Sequence, residues 1–366
     1  MFYTSYTEEK HMTRIEKVLA KAQVAAHEGV IIHKPSNIFY LSGYTGEGIL
    51  VFGHGFKAII TDFRYTEQAE NQAPGFQVLM VGKGLSHMML AKKVFDENSI
   101  TAAYFEDDEI NVRAFRKMEE VLSGISLSPI NNVPEQVRRI KDESEIAAIE
   151  EACDISCQAF EALLPHIKPG VTEKQLQIIL DNLLLEKGAD GLAFSTIVAS
   201  GENGSLPHAI PGSREIQQGD MITFDFGAKK RGYCADMTRT VSVGQPREEM
   251  RIIYETVLKA QEECQQMLRP GISCKTVDDH AHEVIDAAGY HGRFGHGLGH
   301  AVGIDIHEDP RLSQFCEDPL EVGHVVTVEP GIYVPGLGGV RIENTCVITE
   351  DGARTLVHAQ KALLIL

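Results

Sequence analysis

The chain carries the stretch GDMITFDFG at residues 219–227 and a similar stretch, GHVVTVEPG, at residues 323–331. Both are strand-like apolar runs between two glycines, with an acidic residue two positions before the second glycine. A second matching pair precedes them, PGVT at residues 169–172 and PGIS at residues 270–273, and helical apolar spacing follows each of these. This internal repeat predicts a duplicated α-α-β-β unit, with two halves related by a pseudo-two-fold axis and a cleft between them.

Four carboxylates occupy equivalent positions in the two halves. Asp225 and Asp236 lie on consecutive strand-like runs of the first half, and Glu329 and Glu343 lie on two such runs of the second. Antiparallel pairing of these runs would gather all four acids in the cleft, where they would repel one another by several kcal/mol at low dielectric constant. Two divalent cations would balance the four charges. The pattern therefore predicts a dinuclear metal site.

The segment GHGLGHAVGIDIHE at residues 295–308 contains three histidines, His296, His300 and His307, interspersed with glycines. Glycines let a backbone approach a ligand or metal closely, so this segment predicts a further metal ligand. A dinucleotide-binding loop is disfavoured because the third glycine comes one residue early and no helix start follows. The HExxH zinc motif is disfavoured because its second histidine is missing. Another histidine, His208, lies in a polar loop just before the first acidic strand.

The first third of the chain predicts a separate α/β domain. Apolar residues at helical spacing begin at Ile15, and strand-like and helical runs then alternate. Strands are predicted at residues 30–32, 38–41, 49–52, 58–60 and 78–81, and helices near residues 88–95 and 112–122. Two prolines and two asparagines within residues 128–134 indicate a linker. We therefore expect one domain at residues 1–130 and a second at residues 131–366.

The composition argues against several classes of function. The formal net charge is −18 and no extended basic stretch occurs, which disfavours nucleic acid and anionic membrane surfaces as partners. No apolar run approaches the ~18 residues of a membrane span, and the first ten residues lack the apolar core of a signal peptide. Seven scattered cysteines without a CxxC pair favour free thiols in a reducing compartment. We therefore expect a soluble, cytoplasmic protein.

From about Pro134 onwards, the sequence resembles the pita-bread metallopeptidases, a family that includes methionine aminopeptidase, aminopeptidase P and prolidase. The motifs that carry the resemblance are SLPH at 205–208, DFG at 225–227, DMTRT at 236–240, HGLGH at 296–300, EPG at 329–331 and RIEN at 341–344. NIFYLSG at 37–43 and TDFRY at 61–65 are similar to the creatinase-type N-terminal domain. Methionine aminopeptidase usually lacks that domain, so the Xaa-Pro branch is favoured. The resemblance implies an α/β creatinase-like N-terminal domain followed by an α+β pita-bread catalytic domain.

The resemblance also implies a metal-binding role for each acid of the cleft. Two divalent ions would be held by Asp225, Asp236, His300, Glu329 and Glu343, with Asp236 and Glu343 bridging them. Water between the ions would then be a hydroxide near neutral pH and would act as the nucleophile. Glu329 would accept a proton during the attack.

Further residues receive roles from the same resemblance. His208 and His307 would bind the substrate and stabilise the tetrahedral oxyanion, and His296 would also bind the substrate by helping to close the pocket. The alternative for these histidines is an ordinary position in a solvated loop. Arg341, two residues before Glu343, would hydrogen-bond a metal-ligating carboxylate. The alternative for Arg341 is a surface salt bridge.

The expected substrate is inferred from the chemistry of proline. An Xaa-Pro bond is a tertiary amide without an N–H group, which a site that polarises the carbonyl does not need. Prolidase and aminopeptidase P differ in whether a free carboxylate or more peptide comes after the proline. Arg311 lies where some prolidases have a carboxylate-binding arginine, although a solvated loop arginine is the alternative. We therefore expect an Xaa-Pro dipeptidase that cleaves short peptides, with aminopeptidase P as the first alternative.

Two other classes of protein share the resemblance. A non-catalytic pita-bread binding protein and a creatinase-like amidinohydrolase are both disfavoured because the metal-binding carboxylates are complete. We expect the two ions to be Mn²⁺, although Co²⁺ and Zn²⁺ also suit a carboxylate-rich site with one imidazole. The resemblance further implies a homodimer.

Overall fold

The computed structural model describes residues 12–366. The signal-peptide prediction concerns residues 1–10, which lie outside the described residues. The contacts divide the chain into two compact units, Met1–Arg138 and Arg139–Leu366. Within residues 12–366, every helix is either too short or too polar to span a bilayer.

The first unit contains one mixed six-stranded sheet flanked by helices. Its strands lie in the order β4-β3-β2-β1-β5-β6, and the β1–β2 and β2–β3 pairs are antiparallel while the others are parallel. Apolar residues of the sheet pack against the helices that follow β4 and β5. The strands are β1 (Glu28–Ile32), β2 (Ile49–Gly53), β3 (Phe56–Thr61), β4 (Gln77–Met80), β5 (Ala102–Phe105) and β6 (Ser126–Pro129), and the helices are α1 (Arg14–Lys21), α2 (Pro35–Ser42), α3 (Thr66–Gln72), α4 (His87–Glu97), α5 (Val112–Val121) and α6 (Val133–Arg138).

Two predictions in this unit are wrong. Residues 38–41, predicted as a strand, belong to helix α2, which has Pro35 in its first turn and Gly43 at its C-terminal cap with φ +80°. Proline at a helix start and glycine at a helix end favour a helix, and a four-residue apolar run cannot overrule them. The predicted linker at residues 128–134 includes the end of β6 and the start of α6. Pro129 is tolerated there because β6 is an edge strand.

The second unit consists of two α-α-β-β halves, as the internal repeat predicts. Each half places two helices beside an antiparallel sheet, with strand order β12-β9-β8 in the first and β14-β13-β15-β18-β19 in the second. The helices are α7 (Glu143–Leu163), α8 (Glu173–Glu186), α9 (Glu248–Met267) and α10 (Cys274–Ala287). The strands of these sheets are β8 (Ile197–Ser200), β9 (Met221–Phe226), β12 (Met237–Ser242), β13 (Gly299–Ala301), β14 (Glu308–Leu312), β15 (Val325–Val328), β18 (Asn344–Thr349) and β19 (Gly352–Thr355).

Shorter strands complete the two halves. The hairpin β16–β17 connects the two central strands of the second half, and a three-stranded sheet, ordered β11-β10-β7, includes the two strands that lie between β9 and β12 along the chain. These strands are β7 (Gly191–Leu192), β10 (Ala228–Lys230), β11 (Tyr233–Cys234), β16 (Gly331–Val334) and β17 (Gly338–Arg341). The second half buries a large apolar cluster between its helices and its sheet.

The repeated glycines have a structural cause. Gly188 and Gly289 follow the C-terminal caps of α8 and α10, and their φ angles are +105° and +92°. This left-handed conformation is strained for residues with a Cβ atom, so glycine ends both helices. The equivalent helices of the two halves therefore terminate in the same way.

The burial of His324 predicts that the stability of the second unit depends on pH. Its ring is buried next to β15, Nδ1 accepts a hydrogen bond from the Glu321 backbone N–H, and Nε2 has no partner. Burial lowers the pKa of His324 to about 4 from an ordinary value of 6.5. The folded state therefore keeps the ring neutral at pH values where the unfolded chain takes up a proton, and stability is lost as the pH falls below about 6.5 towards 4.

We expect the substitution His324→Gln to reduce the loss of unfolding free energy that occurs as the pH falls. Glutamine can still accept the Glu321 hydrogen bond but does not titrate. Between pH 7 and pH 5, the unfolding free energy of the wild-type protein should fall by about 2 kcal/mol more than that of the variant. Urea unfolding at the two pH values measures this difference. Equal losses in the two proteins would show that His324 does not carry the dependence.

Candidate active site

The two halves bring their acidic residues to one place. Asp225 is the fifth residue of β9 and lies opposite Thr238 in the antiparallel β9–β12 pair, while Asp236 immediately precedes β12. Glu343 immediately precedes β18. One carboxylate oxygen from each of Asp225, Asp236 and Glu343 lies within 4.8 Å of the other two. Strand pairing thus gathers acids that are more than 100 residues apart in sequence.

Glu329 and His300 complete the cluster. Glu329 follows β15, whose last residue pairs with the first residue of β18, so Glu329 and Glu343 lie at the same end of this strand pair. His300, on β13, has its Nε2 atom 3.4 Å from Asp236 Oδ2 and 3.4 Å from Glu329 Oε1. Its Nδ1–H donates to the Ala301 carbonyl at 3.1 Å. That bond leaves the Nε2 lone pair directed at the carboxylates, as in a metal-binding histidine.

The electrostatics of this cluster fit a divalent cation. Asp236 and Glu343 are 5% and 1% exposed, and their Oδ1 and Oε1 atoms are buried without a hydrogen-bond partner. Burial, followed by neighbouring carboxylates, raises the pKa values of both groups well above the ordinary range. Burial also raises the pKa of Glu329 to about 7. Carboxylate oxygens and one imidazole are suitable ligands for divalent metals, and such an ion would occupy the positions that these oxygens face.

Arg341 links the cluster to a hydrogen-bond network. Its buried guanidinium donates to Asp225 Oδ2 at 2.6 Å, to Thr238 Oγ1 at 3.2 Å and to the Tyr333 hydroxyl oxygen at 3.0 Å. Thr238 in turn donates to Glu343 Oε2 at 2.7 Å. Two carboxylates from opposite halves are therefore oriented by one arginine and one threonine. Arg341 is buried in the cluster, so the surface salt bridge considered as its alternative is wrong.

His296 belongs to the same network. Its Nδ1–H donates to the Gly297 carbonyl at 2.9 Å, so Nε2 accepts from the Tyr333 hydroxyl at 2.8 Å. Burial lowers the pKa of His296 to about 4, in agreement with a neutral ring that accepts a bond. Both ring nitrogens already have partners, and the ring supports Tyr333 and, through it, Arg341.

A cavity of about 700 Å³ opens over the cluster. Arg311 lies directly opposite His300 in the β13–β14 pair, so both side chains project from the same face of the sheet. The His307 ring lies 4.4 Å from the His300 ring in an edge contact, and burial lowers the pKa of His307 to about 4. The cavity is lined by all ten residues singled out from the sequence: His208, Asp225, Asp236, His296, His300, His307, Arg311, Glu329, Arg341 and Glu343.

Sequence reasoning missed two classes of residue here. Tyr333 and the apolar side chains of Phe194, Ile197 and Ile306 were not predicted to take part in the site. These apolar residues line the cavity and carry no charge or metal-binding atom that would mark them in a sequence. For Tyr333, the available signal was its position four residues after Glu329, in the first strand of the glycine-rich hairpin.

Four carboxylates and a histidine at the junction of two duplicated halves define a metal-dependent hydrolase. Residues 147–350 match the model of metallopeptidase family M24, and residues 14–140 match the creatinase/prolidase N-terminal domain. The chain belongs to metallopeptidase family M24. The predicted combination of a creatinase-like domain and a pita-bread catalytic domain is thereby confirmed, and membership implies that the site holds divalent metal ions.

Relatives of known name cover nearly the whole chain. An Xaa-Pro dipeptidase of Pyrococcus furiosus is 35% identical over 96% of this chain and 99% of its own. A solved Xaa-Pro dipeptidase from Bacillus anthracis superposes with a TM-score of 0.93 at 35% identity, covering 96% of this chain and 99% of that one. A solved X-Pro aminopeptidase from Thermotoga maritima gives a TM-score of 0.89 at 34% identity, covering 95% and 100%.

Metal binding should stabilise the protein measurably. With Mn²⁺ at about 100 times its dissociation constant, we expect the unfolding free energy to rise by about 2.7 kcal/mol relative to the chelator-treated protein, because the ion binds only the folded state. Glu343→Ala should abolish most of this gain and reduce the bound metal found by elemental analysis. Glu350→Ala, which removes an exposed acid in the turn after β18, is the matched control. A Glu343→Ala variant with unchanged metal content and stabilisation would contradict the assignment.

Proposed function

We propose that this protein is an Xaa-Pro dipeptidase that requires two divalent metal ions. The observation that carries the proposal is the position of Arg311, a cation on the same sheet face as the proposed metal ligand His300 and lining the same cavity. A guanidinium at that position suits the free carboxylate of a C-terminal proline. The names of the Pyrococcus and Bacillus relatives support the same substrate class.

The metal ions would be held by Asp225, Asp236, His300, Glu329 and Glu343. Asp236 and Glu343 are the proposed bridging ligands, since each is deeply buried and each has one carboxylate oxygen without a partner. A pair of divalent ions supplies Lewis acidity toward the substrate carbonyl and acidifies bound water. We propose Mn²⁺ because four of the five ligands are carboxylates, which hard cations prefer; Co²⁺ and Zn²⁺ are the alternatives.

Side chains of the cleft would accept the proton, stabilise the oxyanion and orient the metal ligands. Glu329, one of whose oxygens accepts only a 3.2 Å bond from Thr327 Oγ1, is the proposed acceptor of the proton released during attack. His208 and His307 would donate hydrogen bonds to the oxyanion of the tetrahedral intermediate. The low pKa of His307 keeps its ring neutral at physiological pH, so one ring nitrogen carries a proton to donate. Arg341 would fix the orientation of Asp225 throughout the reaction.

His296 takes a different role from the one expected of a substrate contact. Because its two ring nitrogens bond Gly297 and Tyr333, we propose that it borders the pocket through its ring face and positions Tyr333. The apolar side chains of Phe194, Ile197 and Ile306, which line the cavity, offer surfaces for the proline ring and for an apolar Xaa side chain. A cavity of about 700 Å³ suits a peptide of two or three residues.

Aminopeptidase P activity is the alternative, and the Thermotoga relative is named for it. The metal ligands would serve both reactions equally, since both enzymes hydrolyse the same type of bond. The two activities differ only in the group attached to the proline carbonyl, a free carboxylate oxygen or a further residue. We further propose that the enzyme is a cytoplasmic homodimer, as the resemblance to Xaa-Pro peptidases implies; size-exclusion chromatography with light scattering tests the dimer.

A panel of substrates tests the proposal. With the Mn²⁺-loaded protein, we expect hydrolysis of Gly-Pro, little hydrolysis of a longer Xaa-Pro-Yaa peptide, and none of creatine. Liberated amino acids are measured by ninhydrin or mass spectrometry, with the chelator-treated protein as the control. Preference for the longer peptide would establish the aminopeptidase, and failure to cleave either peptide with metal bound would refute the peptidase assignment.

The substitution Arg311→Ala should affect dipeptides selectively. Loss of a charge-assisted bond to the substrate carboxylate is worth about 1.5–3 kcal/mol, so kcat/KM for Gly-Pro should fall roughly 10- to 150-fold, mainly through KM. For Gly-Pro amide, which has no carboxylate, the same substitution should change kcat/KM less than about threefold. Equal losses for the two substrates would remove Arg311 from carboxylate recognition.

A further inference from the structure

The loop that carries His208 connects β8 to β9, and its first part packs against β17, where Gly204 lies close to the Gly339 backbone. Its tip is exposed, with Leu206 56% and Ile210 89% accessible to solvent. Pro207 and His208, between these two residues, line the cavity. The small side chain of Ala209 is buried, but the large apolar side chains around it are exposed, so the position of His208 depends also on the contacts made on its two sides.

One buried carboxylate, that of Glu173, accepts hydrogen bonds from the loop on both sides of His208. Glu173, the first residue of α8, is 1% exposed. At the start of the loop, its Oε1 accepts from the Ser200 backbone N–H at 2.8 Å, from Ser200 Oγ at 2.7 Å and from Asn203 Nδ2 at 3.0 Å. On the other side of His208, its Oε2 accepts from the Gly212 backbone N–H at 3.2 Å, and Asn203 Nδ2 also reaches Oε2 at 3.1 Å. The Glu173 side chain therefore joins the start of the loop to Gly212 and so helps to close the segment that contains His208.

Other hydrogen bonds also hold the start of the loop, whereas the bond nearest to His208 is long. Arg214 donates to Ser200 Oγ at 2.7 Å and to Asp220 at 2.6 Å, so a second ion pair supports the start of the loop. Near the tip, Arg341 donates to the Pro207 carbonyl at 3.4 Å, a long bond. Backbone bonds from Glu173 to Arg214 and from Lys174 to Gly212 do not depend on the Glu173 side chain. Substitution of that side chain should therefore loosen the loop without unfolding α8.

We propose that Glu173 is the positioning residue for His208. The inference rests on the proposed function, in which His208 stabilises the oxyanion. The position of the Glu173 side chain needs a group that only accepts hydrogen bonds, because four donor atoms converge on its two carboxylate oxygens. A glutamine would direct its own N–H groups at the Asn203 and Gly212 donors, or at the Ser200 donors if reversed. Glu173→Gln therefore disturbs the closure of the loop at nearly constant volume.

A double-mutant cycle separates positioning from a general structural role. We expect Glu173→Gln to lower kcat/KM for Gly-Pro on the order of 10- to 100-fold, as a misplaced catalytic group does. In a His208→Ala background, the same substitution should change kcat/KM less than about threefold, because there is no histidine left to misplace. Bound metal should be unchanged throughout. Gln175→Ala is the matched control, since it removes a capping contact from the same helix turn without touching the loop.

The outcomes distinguish the two levels of the proposal. Equal losses in the two backgrounds, or loss of metal in Glu173→Gln, would overturn the positioning role while leaving the proposed function intact. A His208→Ala variant with wild-type kcat/KM would overturn both the role of His208 and the inference that depends on it. If Glu173→Gln does not fold, Ser200→Ala takes its place in the same cycle, because it removes one of the four bonds and keeps the carboxylate.

Discussion

The catalytic unit is organised around the mutual repulsion of buried carboxylates. Asp236 and Glu343 are almost inaccessible, and with Asp225 they place oxygens within 4.8 Å of one another. Charges at such distances in a protein interior cost several kcal/mol unless cations compensate them. Arg341 provides one buried positive charge, through Asp225, and this is too little for four acids. In a metallopeptidase, bound divalent ions would compensate the negative charge that Arg341 leaves.

Duplication explains how the chain can build such a costly cluster reliably. Each half contributes a strand pair with two acids, and in the second half the helices and the sheet behind the site bury a large apolar cluster. Buried carboxylates also serve the loops. Glu173 at the start of α8 holds the His208 loop, and Asp278 on α10 accepts from the Leu298 backbone N–H at 2.8 Å, within the segment of His296 and His300. Equivalent helices in the two halves thus each hold one histidine-bearing segment.

The sequence revealed this unit better than the N-terminal one, for physical reasons. A carboxylate in an apolar strand is costly to bury, and a left-handed residue after a helix is strained unless it is glycine. The repetition of both features therefore indicates the duplicated fold even in a single sequence. Residues 38–41 are a short apolar run that suits a strand and a helix equally, and the strand prediction was wrong because Pro35 and Gly43, which favour a helix, were not weighed. The position of Tyr333 four residues after Glu329 was the available signal, but its contacts depend on the register of the β16–β17 hairpin, which the sequence alone did not predict. Glu173 has the sequence signature of an ordinary acid in a first helical turn, which conceals its loop contacts.

The acidity of the chain bears on the proposed substrate. A net charge of −18 disfavours the approach of anions, yet the cleft presents Arg311 to a carboxylate. A dipeptide resolves this conflict because its two termini cancel and the whole molecule is close to neutral. Surface charges are screened beyond about 8 Å at physiological ionic strength, so selection would act only after entry, at short range. Arg311, which lines the cavity and is exposed to solvent, would then recognise the carboxylate at short range through a charge-assisted bond. Recognition of a free C-terminus is therefore compatible with a strongly acidic protein, provided that the cation lies inside the cleft.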